Sequence, residues 1–326
     1  MFFGRKPKVD QQRIKILFTT DLHGSTIAFR RWLTAVKRFA PDLAIIGGDV
    51  AGKVLVPLVE GPAGWTGYLN DGPVSAATRA DLSTLLEHIA STGQYGYVVS
   101  PDEYEQLAAD EGYRTQVFHR LLGERLAEWL ALAEEHLRPL GTRVVIMPGN
   151  DDPYELDPIF RQSTFVECAD QRVVELEQGY ELLSVGEANK TPWPCPRDKD
   201  EQELARHITA LASTLRDPQR AIFNIHVPPY NTKLDLAPEL TANLQPRATL
   251  GGTPMVPVGS TAVRAAIERY QPALGLHGHI HESRGADRIG RTTILNPGSE
   301  FGNGVMRAAY GYLVDGQLRG HQLLAG

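Results

Sequence analysis

The stretch from residue 13 to residue 49 sets the strongest limit on what this chain can fold into. "RIKILFTT" is β-rich, "STIAFRRWLTAVKRF" carries apolar residues at helical spacing behind Ser25 as an N-cap, and "PDLAIIGGD" is a short apolar run that reads as a buried strand. A strand, a crossover helix and a second strand start a layered α/β domain. Ligands of such sheets meet the loops beyond the carboxyl ends of the strands. Both strands here end in chemistry-bearing residues, Asp21 and His23 after the first and Asp49 after the second.

From residue 50 to about 140 the pattern changes. "VLVPLVEGPAGWTGYLNDGP" reads as an extended excursion with turns, and "SAATRADLSTLLEHIAS" and "PDEYEQLAADEGYRTQVFHRLLGERLAEWLALAEEHL" read as helices. The expectation is one domain over 1–326 with a mainly helical cap inserted at 53–138. Sheet patterning resumes at "TRVVIMPGN", and "STFVECAD", "RVVELEQ" and "YELLSVGEA" suggest a second set of antiparallel strands. "WPCPRDKDEQ" is a Pro-rich, charged loop. "EQELARHITALASTLR" and "GSTAVRAAIERY", the latter capped by Ser260, are helical, "RAIFNIHVPPY" is a strand stopped by Pro228 and Pro229, and the last segments read as strands.

Charge and cysteine usage exclude several function classes. Lys and Arg number 33 against 39 Asp and Glu, a net charge of −6, so the surface as a whole does not attract a phosphate backbone. Nucleic acid is not the expected partner. Cys168 and Cys195 form no CxxC pair, which argues against a disulfide scaffold or a thiolate metal site and suits a reducing cytoplasm. The opening "MFFGRKPKVDQQRIK" is basic with no apolar leader after it, and no apolar run approaches the roughly 18–20 residues of a membrane span.

Five segments place metal-ligand side chains just past predicted strands: "DLH" (Asp21, His23), "GD" (Asp49), "GNDD" (Asn150), His226, and "GHIH" (His279, His281). Singly each is weak, since turn acids and strand-end histidines are common. In this order they resemble the calcineurin-like metallophosphoesterase family, whose pattern is DxH, GD, GNH(D/E), H, GHxH. The resemblance covers roughly 14–51, 142–152 and 220–300 and leaves most of the insertion unexplained.

That resemblance implies a four-layer sandwich of two mixed β-sheets flanked by helices, with a dinuclear metal site at the strand ends. By matching positions, one divalent ion takes Asp21, His23, Asp49 and His281, and the other takes the bridging Asp49, Asn150, His226 and His279. An oxygen and imidazole set without thiolate suits Mn²⁺ first, with Fe, Zn²⁺ or Ni²⁺ as alternatives. The implied reaction is hydrolysis of a small phosphorylated substrate by a metal-bridging hydroxide. Asp49, Asn150 and Asp151 are the catalytic candidates. A noncatalytic metal-binding scaffold of the same fold and a nuclease of the superfamily, the latter needing a basic groove around Arg114, Arg120 and Arg125, are the competing expectations.

Asp151 stands where the family has a histidine. Beside two cations a carboxylate is an acceptor and a poor proton donor, so substrates with good leaving groups, phosphodiesters or pyrophosphate linkages rather than monoesters, are expected. Asp152, followed by Pro153, reads as a helix N-cap. Further candidates for substrate contact are His277, which completes "HGHIH", Asn231 and Lys233 after His226, and Asn296 in "NPGSE". The insertion offers Trp65, Tyr68, Tyr95, Tyr97, Tyr104 and Tyr113 for stacking. The sequence does not fix the oligomeric state.

Overall fold

The computed structural model describes residues 13–70 and 72–326. The basic opening segment noted above lies, up to residue 12, outside the described residues. Arg13–Thr19, Leu43–Gly47, Arg143–Met147 and Val166–Glu167 run parallel, and Arg307–Val314 and Gln317–Ala325 extend the same sheet antiparallel on the other side of Arg13–Thr19. The second six-stranded sheet orders Gly285–Ile289, Thr292–Asn296, Leu274–Leu276, Ala221–Ile225, Glu181–Val185 and Arg172–Glu175. Its four central strands are parallel and its two edges antiparallel.

Strand alternation explains the layering. Ile14, Ile16 and Phe18 point one way and pack with Leu182, Ile222 and Leu276 of the other sheet, which makes the core between the sheets. Leu17, Ile46 and Ile146 point the other way, under the helices Thr26–Phe39 and Glu111–Leu137. The outer face of the second sheet is covered by Glu201–Ala212 and Thr261–Tyr270. The result is two mixed sheets sandwiched between helices, as expected. Ser25 caps the first helix by accepting from the Ala28 amide, and Ser260 caps the last by accepting from Val263.

Two details differ from the sequence reading. Val166–Glu167 joins the first sheet as a parallel strand rather than the second set, and only Arg172–Glu175 pairs antiparallel with Glu181–Val185. The excursion after residue 50 is a four-stranded sheet, ordered Gly72–Ala76, Gly64–Leu69, Leu55–Gly61 and Tyr95–Val99. Helices Arg79–Ser91, Pro101–Ala109 and Glu111–Leu137 accompany it. The longest of these is anchored beneath the first sheet. Trp129 lies stacked on Phe29, ring centroids 4.3 Å apart, inside the core beneath the first sheet.

Candidate metal centre

Loops from the carboxyl ends of five parallel strands, three in one sheet and two in the other, converge on one place. The first two continue side by side, with the Asp21 amide donating to the Gly48 carbonyl at 2.9 Å and the His23 amide to the Asp49 carbonyl at 2.9 Å. Asp21, His23, Asp49 and His279 all hold left-handed backbone, with φ of 54°, 41°, 49° and 65°. Such residues cost about 1–3 kcal/mol each and persist where the surroundings over-determine them, a pattern typical of functional sites. The determinants are visible here. The His279 amide donates to both carboxylate oxygens of Asp21 at 3.1 Å, and Ser299 Oγ donates to the Asp21 carbonyl at 2.6 Å. Gly48, at φ 116°, and Gly149 are required by close approach: a Cβ would lie 2.4 Å from His226 Nδ1 or 2.1 Å from Asp49 Oδ1.

The polar side chains form two adjoining groups, and Asp151 completes a third with His23 and Asp49 that overlaps both. Asp21, His23 and His281 make one, with His281 Nε2 3.3 Å from Asp21 Oδ1 and 3.1 Å from His23 Nε2. Asp49, His226 and His279 make the other, with His226 Nε2 3.3 Å from Asp49 Oδ2. Asp49 reaches between them, since its Oδ2 is also 3.6 Å from His23 Nε2. Asn150 lines the same cleft as Asp49 and His279; its Nδ2 donates to Asp198 at 2.9 Å, which leaves Oδ1 buried with no partner.

These atoms fit divalent cations. The Nδ1 of His226 is committed to the Gly47 carbonyl at 2.9 Å, which turns its buried Nε2 to the carboxylates of Asp49 and Asp21 at 3.3 and 3.8 Å. The buried Oδ1 of Asn150 is an unpaired acceptor, which costs free energy unless something binds it. The electrostatics agree. Burial alone would raise Asp21, but His281 and His226 opposite hold its carboxyl down at about 2. Burial likewise opposes ionisation of Asp49, yet His226 and His23 hold it well below the usual range. Burial would lower His226, but Asp49 and Asp21 draw it up to about 10, so a proton occupies a place that a cation would take. His279, by contrast, is pushed down to about 4 by burial and by His226.

The two neighbouring acids have separate tasks. Asp152 is fully buried, and its carboxylate accepts from the amides of Gly149 at 2.7 Å, Val50 at 3.0 Å and Ala51 at 2.8 Å. It therefore clamps the loop carrying Asp49 to the loop carrying Asn150. This corrects the N-cap expectation: the short helical turn Tyr154–Leu156 has no side-chain cap. Asp151 faces the cleft, ion-paired with Lys53 Nζ and accepting from Cys195 Sγ at 3.0 Å. Burial and Asp151 push the Cys195 thiol up to about 12, so it is a donor and not a thiolate.

A cavity of about 520 Å³ opens beside these groups, reached by Asp49, Asn150, Asp151, His279 and His281 on one side and by the loop around Trp193 on the other. His277 does not reach it. Its ring is fully buried, with Nδ1 shared between the Ile225 and Val227 carbonyls at 2.8 and 3.2 Å, and it steadies the segment on either side of His226. Asn296 is also buried; its Nδ2 donates to the Ile280 carbonyl at 2.9 Å and its Oδ1 accepts from Gly298, shaping the loop with His279 and His281. Asn231 and Lys233 are exposed turn residues tied to Asp235 and Asp287 through their amides, and neither lines the cavity. The aromatics of the insertion do not line it either. Tyr95 is buried against Phe118, and Tyr97 and Tyr113 both donate to Glu103.

Sequence reasoning missed Lys53, Trp193, Cys195 and Asp198. Their only signal was a Pro-rich loop and a lysine after "GDVAG", neither distinctive.

No family model matches this chain. An uncharacterized protein of Methanocaldococcus jannaschii is 31% identical over 157 residues, 47% of this chain and 63% of that protein, so the match spans less than two thirds of the relative. A solved protein of Thermus thermophilus superposes with a TM-score of 0.51 at 14% identity, covering 96% of this chain and 98% of that one. Another solved structure gives 0.53 at 16% identity, with 96% and 98% covered. The chain shares its fold, two mixed sheets between helices, with these two solved structures. With that fold, the converging loops are those that carry the motifs of the resemblance, at the ends of parallel strands in both sheets. Among the described residues no helix is long and apolar enough to cross a membrane.

Proposed function

We propose that the protein is a metal-dependent phosphoester hydrolase, acting on phosphodiester or pyrophosphate linkages in preference to monoesters. One observation carries the reading: two carboxylates and four imidazoles gather in adjoining groups, and Asn150, whose buried Oδ1 has no partner, lines the same cleft. In this reading Asp21, His23, Asp49 and His281 hold one divalent cation and Asp49, Asn150, His226 and His279 a second, Mn²⁺ before Fe, Zn²⁺ or Ni²⁺. Such a pair, when bound, acidifies water and offsets charge on the phosphoryl oxygens.

The chain's own residues position and select. Asp152 and the amide of His279 fix the carboxylate loops, and Asp198 fixes the amide of Asn150 so that its oxygen is free to bind. Asp151 accepts hydrogen bonds and donates no proton to a departing alkoxide, which favours leaving groups that need little protonation. Its charge also disfavours the second negative charge of a monoester, while Lys53 brings an ammonium to the mouth of the cleft for a phosphoryl oxygen.

The scaffold reading needs lost ligands, and every ligand position is filled. The nuclease reading needs a basic groove, but Arg125 donates to the carbonyls of Gly24 and Gln94, Arg114 to that of Leu107, and Arg120 pairs with Glu124. We place the protein in the cytoplasm, where its two free cysteines are stable. The test is hydrolysis of bis-(p-nitrophenyl) phosphate beside p-nitrophenyl phosphate after chelation and readdition of Mn²⁺. The diester should be cleaved faster, only with metal, and Asp49→Asn should lower the rate by at least about 10³-fold. Undiminished cleavage in chelated protein would refute the reading.

A further inference from the structure

The cleft beside the candidate metal centre has two unlike walls. One is the polar group described above. The other is built from the loop that holds Pro192 and Trp193 and from the short hairpin Leu236–Pro238 with Met255–Pro257, whose tip brings in Leu240 and Leu244. Trp193 is 45% exposed and Leu244 43%, although each borders a cavity large enough for a small ligand. Large apolar side chains gathered at one cleft and left open to water mark a binding surface rather than a core. The indole and the rigid rings of Pro192, Pro238 and Pro246 offer flat faces rather than the deep channel an acyl chain requires.

The wall is continuous with Asp49, Asn150 and His279, so whatever binds there is held next to the phosphorus. We propose that this wall binds an aromatic ring carried on the ester arm that stays with the phosphate, with Trp193 as its principal contact. The proposal rests on the phosphodiester reading and gives it a substrate class, aryl or nucleoside esters of phosphate. The phosphate takes the polar wall and the Lys53 side, and the ring takes the apolar one. A simple alkyl diester fills only half of the cleft.

The experiment varies one arm at a constant leaving group, using Mn²⁺-loaded full-length protein and p-nitrophenyl diesters whose second arm is methyl, hexyl, phenyl or thymidine. The phenyl and thymidine arms should exceed methyl in kcat/KM by about tenfold or more, chiefly through KM. Trp193→Ala should bring the phenyl-to-methyl ratio towards one, and Trp193→Phe should restore it. Equal kcat/KM for phenyl and methyl arms, or a hexyl arm that surpasses both rings, would overturn the proposal. Calorimetric binding of diphenyl phosphate against dimethyl phosphate separates this failure from failure of the hydrolase reading. Trp193-dependent preference for the diphenyl ester, without cleavage of any ester, would leave the ring site standing and remove the hydrolase. No preference in either assay would remove the ring site.

Discussion

Two regions lie outside the paired sheets, and they differ in what they do. The segment 53–138 is large and rich in aromatics, yet among its described residues only Lys53, at its start, lines the cleft. The loop of Trp193 and the hairpin at residues 236–257 are short, and they form a whole wall. The reason lies in packing. The insertion places most of its large apolar residues in its own cores and against the helix Thr26–Phe39, and its exposed Tyr68 and Tyr104 do not line the cleft, whereas the loop and hairpin leave theirs open beside it. If the apolar wall selects the substrate, size and helix content are poor guides to specificity. Exposed apolar surface at the strand ends is a better one.

The insertion has a different part, as a brace for the ligand loops. Arg125 donates to the carbonyls of Gly24 and Gln94, both at 2.9 Å, and lies over the Tyr95 ring at 3.8 Å. Tyr95 in turn accepts from the Gly52 amide at 3.3 Å. Gly93, at φ 87°, presses against the His23 carbonyl, where a Cβ would come within 2.3 Å.

The contrast yields predictions in descending size. If the long helix is core, Trp129→Ala should cost about 3–5 kcal/mol in urea unfolding; a loss below about 1 kcal/mol would make the insertion a separable lid after all. If the insertion braces the metal loops, Gly93→Ala should weaken Mn²⁺ binding about 10–100-fold in titration of chelated protein. Unchanged affinity would break the brace. Lys53→Ala should raise KM for bis-(p-nitrophenyl) phosphate about three- to tenfold and sharpen discrimination against the monoester, because Asp151 then faces the substrate uncompensated. Removing the exposed rings Tyr68 and Tyr104 of the insertion by Tyr→Ala changes should leave the phenyl-to-methyl ratio as it is. A collapsed ratio would return specificity to the insertion.

A pH effect tests the scaffold around His226. Burial, against the two carbonyl bonds, pushes His277 down to about 4, below its ordinary 6.5. Between these values the unfolded chain binds a proton that the folded one refuses, so this residue's contribution is present above 6.5 and is lost as pH falls towards 4. The stability advantage of wild type over His277→Asn in chelated protein should therefore narrow across that window. An advantage that widens there would show His277 to be charged in the fold.

Much of this was legible because it is local. Asp21 and His23, Asp49, Asn150, and His279 with His281 sit in short motifs just beyond strands with clear apolar patterning, and the strand–helix–strand start fixes which ends they share. The rest depends on partners distant in the chain. Lys53 meets Asp151, and Asp198 holds Asn150, through loops without periodicity. The role of Asp152 was misread because Pro153 suggested a helix start, whereas three loop amides claim the carboxylate. The extended stretch holds the strand Leu55–Gly61 despite Pro57, which is in register with Tyr97 on one side while pairing with Gly64–Leu69 on the other begins only at Val59.

The most direct test of the central claim is anomalous diffraction at the manganese edge from crystals grown with Mn²⁺. The account predicts two peaks, one coordinated by Asp21, His23 and His281 and one by Asn150, His226 and His279, with Asp49 touching both. The absence of any peak among these residues, or peaks only elsewhere on the molecule, would contradict it.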